Sequence, residues 1–147
     1  ISQLATEVTP EGVAVMGLCE IENKNAVQDL VNDPQLKKRN YQIIHIEGPD
    51  ARGVDPSFIY NPIYFKPSKA IAYKVKLAVD SNHKTRDILL ITGTFLNDPI
   101  AFLINHWPSR RGGEMISRPN RNSAARIASF VLRTPEVFGS KLHLAED

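Results

Sequence analysis

An α/β fold, in the α+β sense of strands and helices mixed in one unit, is what the residue pattern predicts. Short apolar runs of strand length recur along the chain, while helix-period stripes appear only around 25–33 and 117–131. Two neighbouring runs, Asp87–Phe95 and Pro99–Asn105, are apolar at both parities, the mark of a sheet covered on both faces. With 147 residues and 42% hydrophobic content the chain suffices for one domain with a real core.

Taken in order, residues 1–9 end at the turn signal Thr9-Pro10-Glu11-Gly12 and read as the close of a helix. Val13–Cys19 is a continuous apolar run, predicted as a strand, and it stops abruptly at Glu20-Ile21-Glu22-Asn23. A helix follows from Asn25 to about Asp33, with Asn25 and Gln28 as a capping box and Pro34 as its stop. Tyr41–Ile46 reads as a strand in which His45 is structural. Gly48–Asp55 is a turn-rich loop that carries Asp50, Arg52 and Asp55, and it leads into a strand at Ser57–Tyr60 closed by Asn61-Pro62. Ile71–Val79 alternates between bulky apolar residues and Ala or Lys, as a strand with one wet face would, and Asp80-Ser-Asn-His83 turns the chain with His83 exposed. The two long apolar strands are joined through Leu96-Asn97-Asp98 as a hairpin. Ser117-Arg-Pro119 opens a second helix, striped by Ala124, Ile127, Ala128 and Val131 and stopped by Pro135. From Phe138 onward no pattern continues, and His143 reads as a tail residue.

Bulk properties exclude several classes. No apolar run reaches the roughly 18 residues of a membrane span. The single Cys19 forms no internal disulfide, and a cysteine-ligated metal is set aside. The chain opens on Ile1 rather than Met, which leads us to expect a portion of a longer product and leaves localisation unread.

The formal charge is +2, but 105–126 holds five arginines against Glu114 alone, a local +4 that leaves −2 for the rest. That field is concentrated where the strand ending at Asn105 runs into His106 and the loop Trp107-Pro-Ser-Arg-Arg-Gly-Gly113. Guanidinium donors, permissive backbone and an imidazole at the rim of a sheet suit an anion, phosphate above all. The free amides at the start of the second helix add to that affinity. Glu20 and Glu22, where a covered strand ends, lie at the edge at which α/β sheets bind ligands. A carboxylate there serves Mg²⁺, which takes only one or two protein carboxylates and keeps waters. The plainer reading, that they favour the start of the next helix, is preferred for Glu22 and stays open for Glu20.

Several segments together resemble the endonuclease/exonuclease/phosphatase superfamily, the deoxyribonuclease-I-like fold. They are Gly17-Leu-Cys-Glu-Ile-Glu-Asn23, Asp50-Ala-Arg-Gly-Val-Asp55, Tyr60-Asn-Pro62, Asn105-His-Trp-Pro-Ser-Arg-Arg-Gly-Gly113 and Ser117-Arg-Pro-Asn-Arg121. The resemblance implies a four-layer α/β sandwich with mostly antiparallel central sheets. It also implies a Mg²⁺-dependent (or Mn²⁺-dependent) phosphoesterase acting on phosphodiester or phosphomonoester bonds, endonuclease-like, with nucleic acid among its phosphate-bearing substrates. It maps Glu20 onto the acidic metal ligand and His106 onto the histidine that hydrogen-bonds the scissile phosphate. Asn105, Ser109, Arg110, Arg52 and Arg118 would bind substrate, with Asp55 and Glu22 in support.

The family's Asn-bearing first strand, its Gly-Asp-Phe-Asn motif and its final Asp-His pair have no counterpart in 1–147. The expectation is therefore an incomplete domain, the middle portion, inactive alone and with exposed sheet edges that favour a homodimer. The rival expectation is a non-catalytic module that docks phosphate or nucleic acid, with Glu20 structural.

Overall fold

The computed structural model describes residues 1–78, 82 and 84–137, together with the backbone of 141–145. His83 and the tail residues 138–140, 146 and 147 lie outside the described residues, as does the side chain of His143.

Strands β1 (Val15–Ile21), β2 (Gln42–His45) and β3 (Asp55–Tyr60) form a three-stranded antiparallel sheet in the order β1-β3-β2. Strands β4 (Phe65–Tyr73), β5 (Ile88–Phe95), β6 (Asp98–Ile104) and β7 (Lys141–Ala145) form a second sheet in that order, antiparallel except for β7, which runs parallel to β6. Helix α1 (Lys24–Asn32) and helix α2 (Glu114–Val131) complete the α+β fold.

Side-chain parity builds the core in three parts. Leu89 and Ile91 point from β5 toward Phe58 of β3, and with Phe65, Phe102 and Ile104 they fill the space between the sheets. The opposite parity, Ile88 and Leu90, packs with Leu103 against Ala124, Ala128 and Val131 of α2. Ile59 of β3 turns the other way from Phe58 and meets Val27 and Val31 of α1. Both faces of β5 are thus covered, as its doubly apolar pattern required, and each fully buried side chain contributes about 1.5–3 kcal/mol.

Several boundaries differ from expectation. Residues 1–9 form successive turns rather than the end of a helix, with Thr9 N donating to Ala5 O at 2.7 Å and Ala5 at φ 58°. The cap of α1 is Asn23, whose side chain accepts from Ala26 N at 3.0 Å, two residues before the expected Asn25. The wet-faced strand is β4, running 65–73 rather than the expected 71–79; Val79 and, of the expected turn after it, Asp80 and Ser81 lie outside the described residues. Pro67 masked its start, and the chain accommodates that proline on the edge strand beside a register shift between Pro67 and Lys69. Helix α2 begins at Glu114, three residues early, so Pro119 lies inside it. The strand β7 falls in the tail that showed no pattern.

Candidate active site

The end of β1 is irregular. Leu18 pairs with Ser57 and Ile21 with Asp55, so β1 spends one residue more than β3 over this interval. The extra residue forms a β-bulge in which Glu20 sits at φ 59°. Glu20 and Glu22 therefore do not continue the two-residue alternation that a regular strand would give them. The Glu20 side chain is 60% exposed.

The end of β6 comes to the same place. The half-buried Cys19 thiol donates to the carbonyl of Asn105 at 3.6 Å across 86 positions of sequence. One residue further on each chain segment, Glu20 Oε1 lies 3.9 Å from His106 Nε2. Arg52 Nη1, from the loop between β2 and β3, lies 3.7 Å from the same Glu20 oxygen. A carboxylate, an imidazole and a guanidinium from three segments thus meet where the two sheets end together.

Behind them a buried charged pair ties two loops. Asp50 accepts from Arg52 N at 2.9 Å and from Arg52 Nε at 3.3 Å, which curls the loop so that Arg52 faces Glu20. Arg86, just before β5, places Nη1 3.4 Å from Asp50 Oδ2 and donates through Nη2 to the carbonyls of His106 and Trp107 at 3.1 and 3.0 Å. One guanidinium fixes the backbone that carries His106 and the carboxylate that orients Arg52. Sequence reasoning assigned Arg86 nothing. Its only signal was a charged residue adjoining a fully buried strand.

A cavity of about 420 Å³ opens beside His106, lined also by Trp107, Pro108, Ser109, Arg110 and Arg121. A second, of about 450 Å³, lies across the loop, with Arg52, Arg86 and Arg111 on its walls. The first is a mainly polar cleft, the second mixes guanidinium groups with the apolar Leu77, Pro108 and Ile116, and the guanidinium walls of both suit an anionic ligand.

The structure gathers Glu20, Arg52, His106, Ser109 and Arg110 at one rim. Asn105 stands behind it, 1% exposed, its amide donating to Leu103 O at 3.1 Å. Arg118 is exposed on the first turns of α2 and pairs with Glu114 at 3.2 Å. Glu22 is exposed in the turn ahead of Asn23. Asp55 is buried and accepts from Gly48 N at 3.0 Å, closing the base of the loop that holds Asp50 and Arg52. Mg²⁺ fits what is present at Glu20, because a single exposed carboxylate at a strand end leaves the remaining octahedral positions to water.

Residues 1–133 match the model of the Endonuclease/Exonuclease/phosphatase family, and the chain belongs to that family. No curated protein matches the chain by sequence. Among solved structures it is similar to D. rerio TDP2 complexed with single strand DNA product, at 17% identity and a TM-score of 0.66, covering 91% of this chain and 47% of that one. It is similar to ANGEL2, a 2',3'-cyclic phosphatase, at 12% identity and a TM-score of 0.61, covering 92% and 39%. It is also similar to the human Nocturnin catalytic domain with bound sulfate anion, at 14% identity and a TM-score of 0.59, covering 91% and 50%. The chain spans about half the length of these proteins or less.

Proposed function

We propose that the chain carries the cation- and phosphate-binding part of a divalent-metal-dependent phosphoesterase that acts on phosphodiester or phosphomonoester bonds, with nucleic acid the favoured substrate. The observation that carries this reading is the 3.9 Å approach of Glu20 Oε1 to His106 Nε2 from different sheets. A core needs no such juxtaposition at an exposed rim.

Glu20 would hold Mg²⁺ (or Mn²⁺), which supplies Lewis-acid stabilisation of charge on the phosphoryl oxygens. His106 donates from Nε2 to a phosphoryl oxygen when its ring is protonated there, and Arg52 and Arg110 flank that position with charge-assisted donors, about twice as strong as neutral ones. Ser109 adds a hydroxyl at the mouth of the cleft. Asn105 supports from behind through the backbone of its own strand end, and Arg118 sits where a longer phosphate backbone would pass. The buried Asp50–Arg86 pair keeps Arg52 and His106 in place before substrate arrives, which is how preorganised donors lower a barrier. Family membership and the likeness to a TDP2 bound to single-stranded DNA support a nucleic-acid substrate. The residues assembled here bind and orient, and among the described residues none is assigned to activate water. The behaviour expected of these 147 residues alone is therefore binding without appreciable turnover.

The test is a Mg²⁺ titration of the wild-type chain and of Glu20→Gln, read by calorimetry and by the thermal midpoint. Binding and stabilisation that vanish in the variant support the phosphoesterase reading. Metal-independent, salt-sensitive capture of single-stranded DNA, unchanged by Glu20→Gln, would favour a phosphate-docking module instead.

A further inference from the structure

We propose that His45, Glu47 and Asp55 bind one dication of the zinc class, at a site separate from the Glu20–His106 rim. One ligand atom from each lies within 4.8 Å of the others. Around a tetrahedral zinc with bonds of about 2.0–2.1 Å, ligand atoms stand about 3.3 Å apart. His45 Nε2 and Glu47 Oε1 are already 3.3 Å apart. The Glu47 side chain is 67% exposed, so it has room to adjust around an ion held by the two buried groups.

The plain alternative is a His45–Glu47 ion pair beside a loop-closing Asp55. It leaves the buried Asp55 Oδ1 unexplained. Asp55 is 2% exposed, yet its Oδ1 has no hydrogen-bond partner among the described residues, and the His45 side chain beside it is 1% exposed. Buried polar groups are rarely left so, and a carboxylate oxygen without a donor needs a cation or a proton. Gly48 adds an independent sign of how closely the carboxylate is seated: a Cβ there would stand 2.3 Å from Asp55 Oδ1, so only glycine lets the loop lie over it.

Donor chemistry names the class of ion. An imidazole among carboxylates suits zinc or a similar borderline metal, whereas Mg²⁺ and Ca²⁺ select oxygen alone. The fourth position is left for water. The placement suggests a structural role, because Glu47 and Asp55 bracket the loop 48–54 that carries Asp50 and Arg52. An ion there would clamp both ends of the loop to β2 and β3 and hold Arg52 toward Glu20.

The experiment strips the chain with chelator, dialyses it against Zn²⁺ and counts bound metal, with X-ray absorption at the zinc edge to read the ligands. The expected result is one equivalent per chain, with nitrogen and oxygen but no sulfur in the first shell and a raised thermal midpoint. Loss of an outer-shell partner alone costs about 10–100-fold in affinity, so Glu47→Gln is expected to weaken binding by at least about tenfold. Glu20→Gln is expected to leave Zn²⁺ binding intact, which separates this site from the Mg²⁺ reading of the rim. Absence of stoichiometric zinc, sulfur from Cys19 in the ligand shell, or binding lost in Glu20→Gln and retained in Glu47→Gln would each overturn the proposal. Should Glu47→Gln fail to fold, the Glu20→Gln variant decides: one equivalent of zinc retained in a nitrogen and oxygen shell supports the site, and its loss overturns it.

Discussion

Glu20 shows what a single residue gives up for its position. A non-glycine residue at φ 59° costs roughly 1–2 kcal/mol, and the bulge that imposes this angle is also what turns the carboxylate out of the ladder toward His106. Glu20→Gly is therefore expected to raise the unfolding free energy by about 1 kcal/mol while eliminating Mg²⁺ binding, a trade readable by urea denaturation beside the metal titration. Asp87 carries strain of another kind. Burial holds its carboxyl above the ordinary 3.8, opposed by Lys74 and reinforced by the charge of Asp55. The folded state then binds that proton more tightly than the unfolded chain does. This contribution to stability is present below pH 3.8 and is lost as pH rises through the folded value. Asp87→Asn should raise the thermal midpoint at pH 7 relative to wild type, with the gain shrinking to nothing as pH falls below 3.8. Glu20 and His106 were legible as candidates because acid and imidazole at strand ends are uncommon where only packing is at stake. Arg86 was not legible, because its partners are a side chain 36 positions away and two backbone carbonyls.

At the scale of the element, period and parity read well where packing enforces them. The alternate faces of β5 meet two different clusters, and the stripe of α2 meets one of them. Reading failed where a local residue contradicted the element. Pro67 stood for a break but sits on an edge, and the Ala/Lys alternation after 73 continued past the end of β4. Gly93 marks the tightest strand packing: a Cβ there would lie 2.3 Å from Lys66 O and 2.7 Å from the Phe65 ring. Gly93→Ala is expected to destabilise the fold by about 1–3 kcal/mol through overpacking, measured as a lowered denaturation midpoint at unchanged slope. The same edge bears on assembly. Lys66, Pro67, Lys69 and the register shift blunt β4 against pairing, which weakens the expectation of a homodimer through that edge.

Over the whole molecule, the near-neutral total conceals a local field. Arg110, Arg111 and Arg121 line the two clefts on either side of the His106 loop, while the chain outside 105–126 is slightly acidic. If a single-stranded substrate is held there, each phosphate contact contributes about 0.7 to the slope of log affinity against log salt. Arg110→Gln should lower that slope by about 0.7 for single-stranded DNA, whereas Arg133→Gln, beyond the end of α2, should leave it unchanged. An equal change in both variants would mean that diffuse charge, not a site at His106, governs binding.

The amino-acid order by itself determined the α+β class, the strands buried on both faces, the basic segment, and the residue types able to hold a cation and a phosphate, because these follow from local periodicity and side-chain chemistry. Only the tertiary structure decided the rest. It decided that a bulge re-aims Glu20, that Arg86 and Asp50 tie two loops beneath His106, and that His45, Glu47 and Asp55 converge. Each depends on which segments become neighbours when two sheets pack, and that is set by burial summed over the whole chain rather than by any one stretch of it.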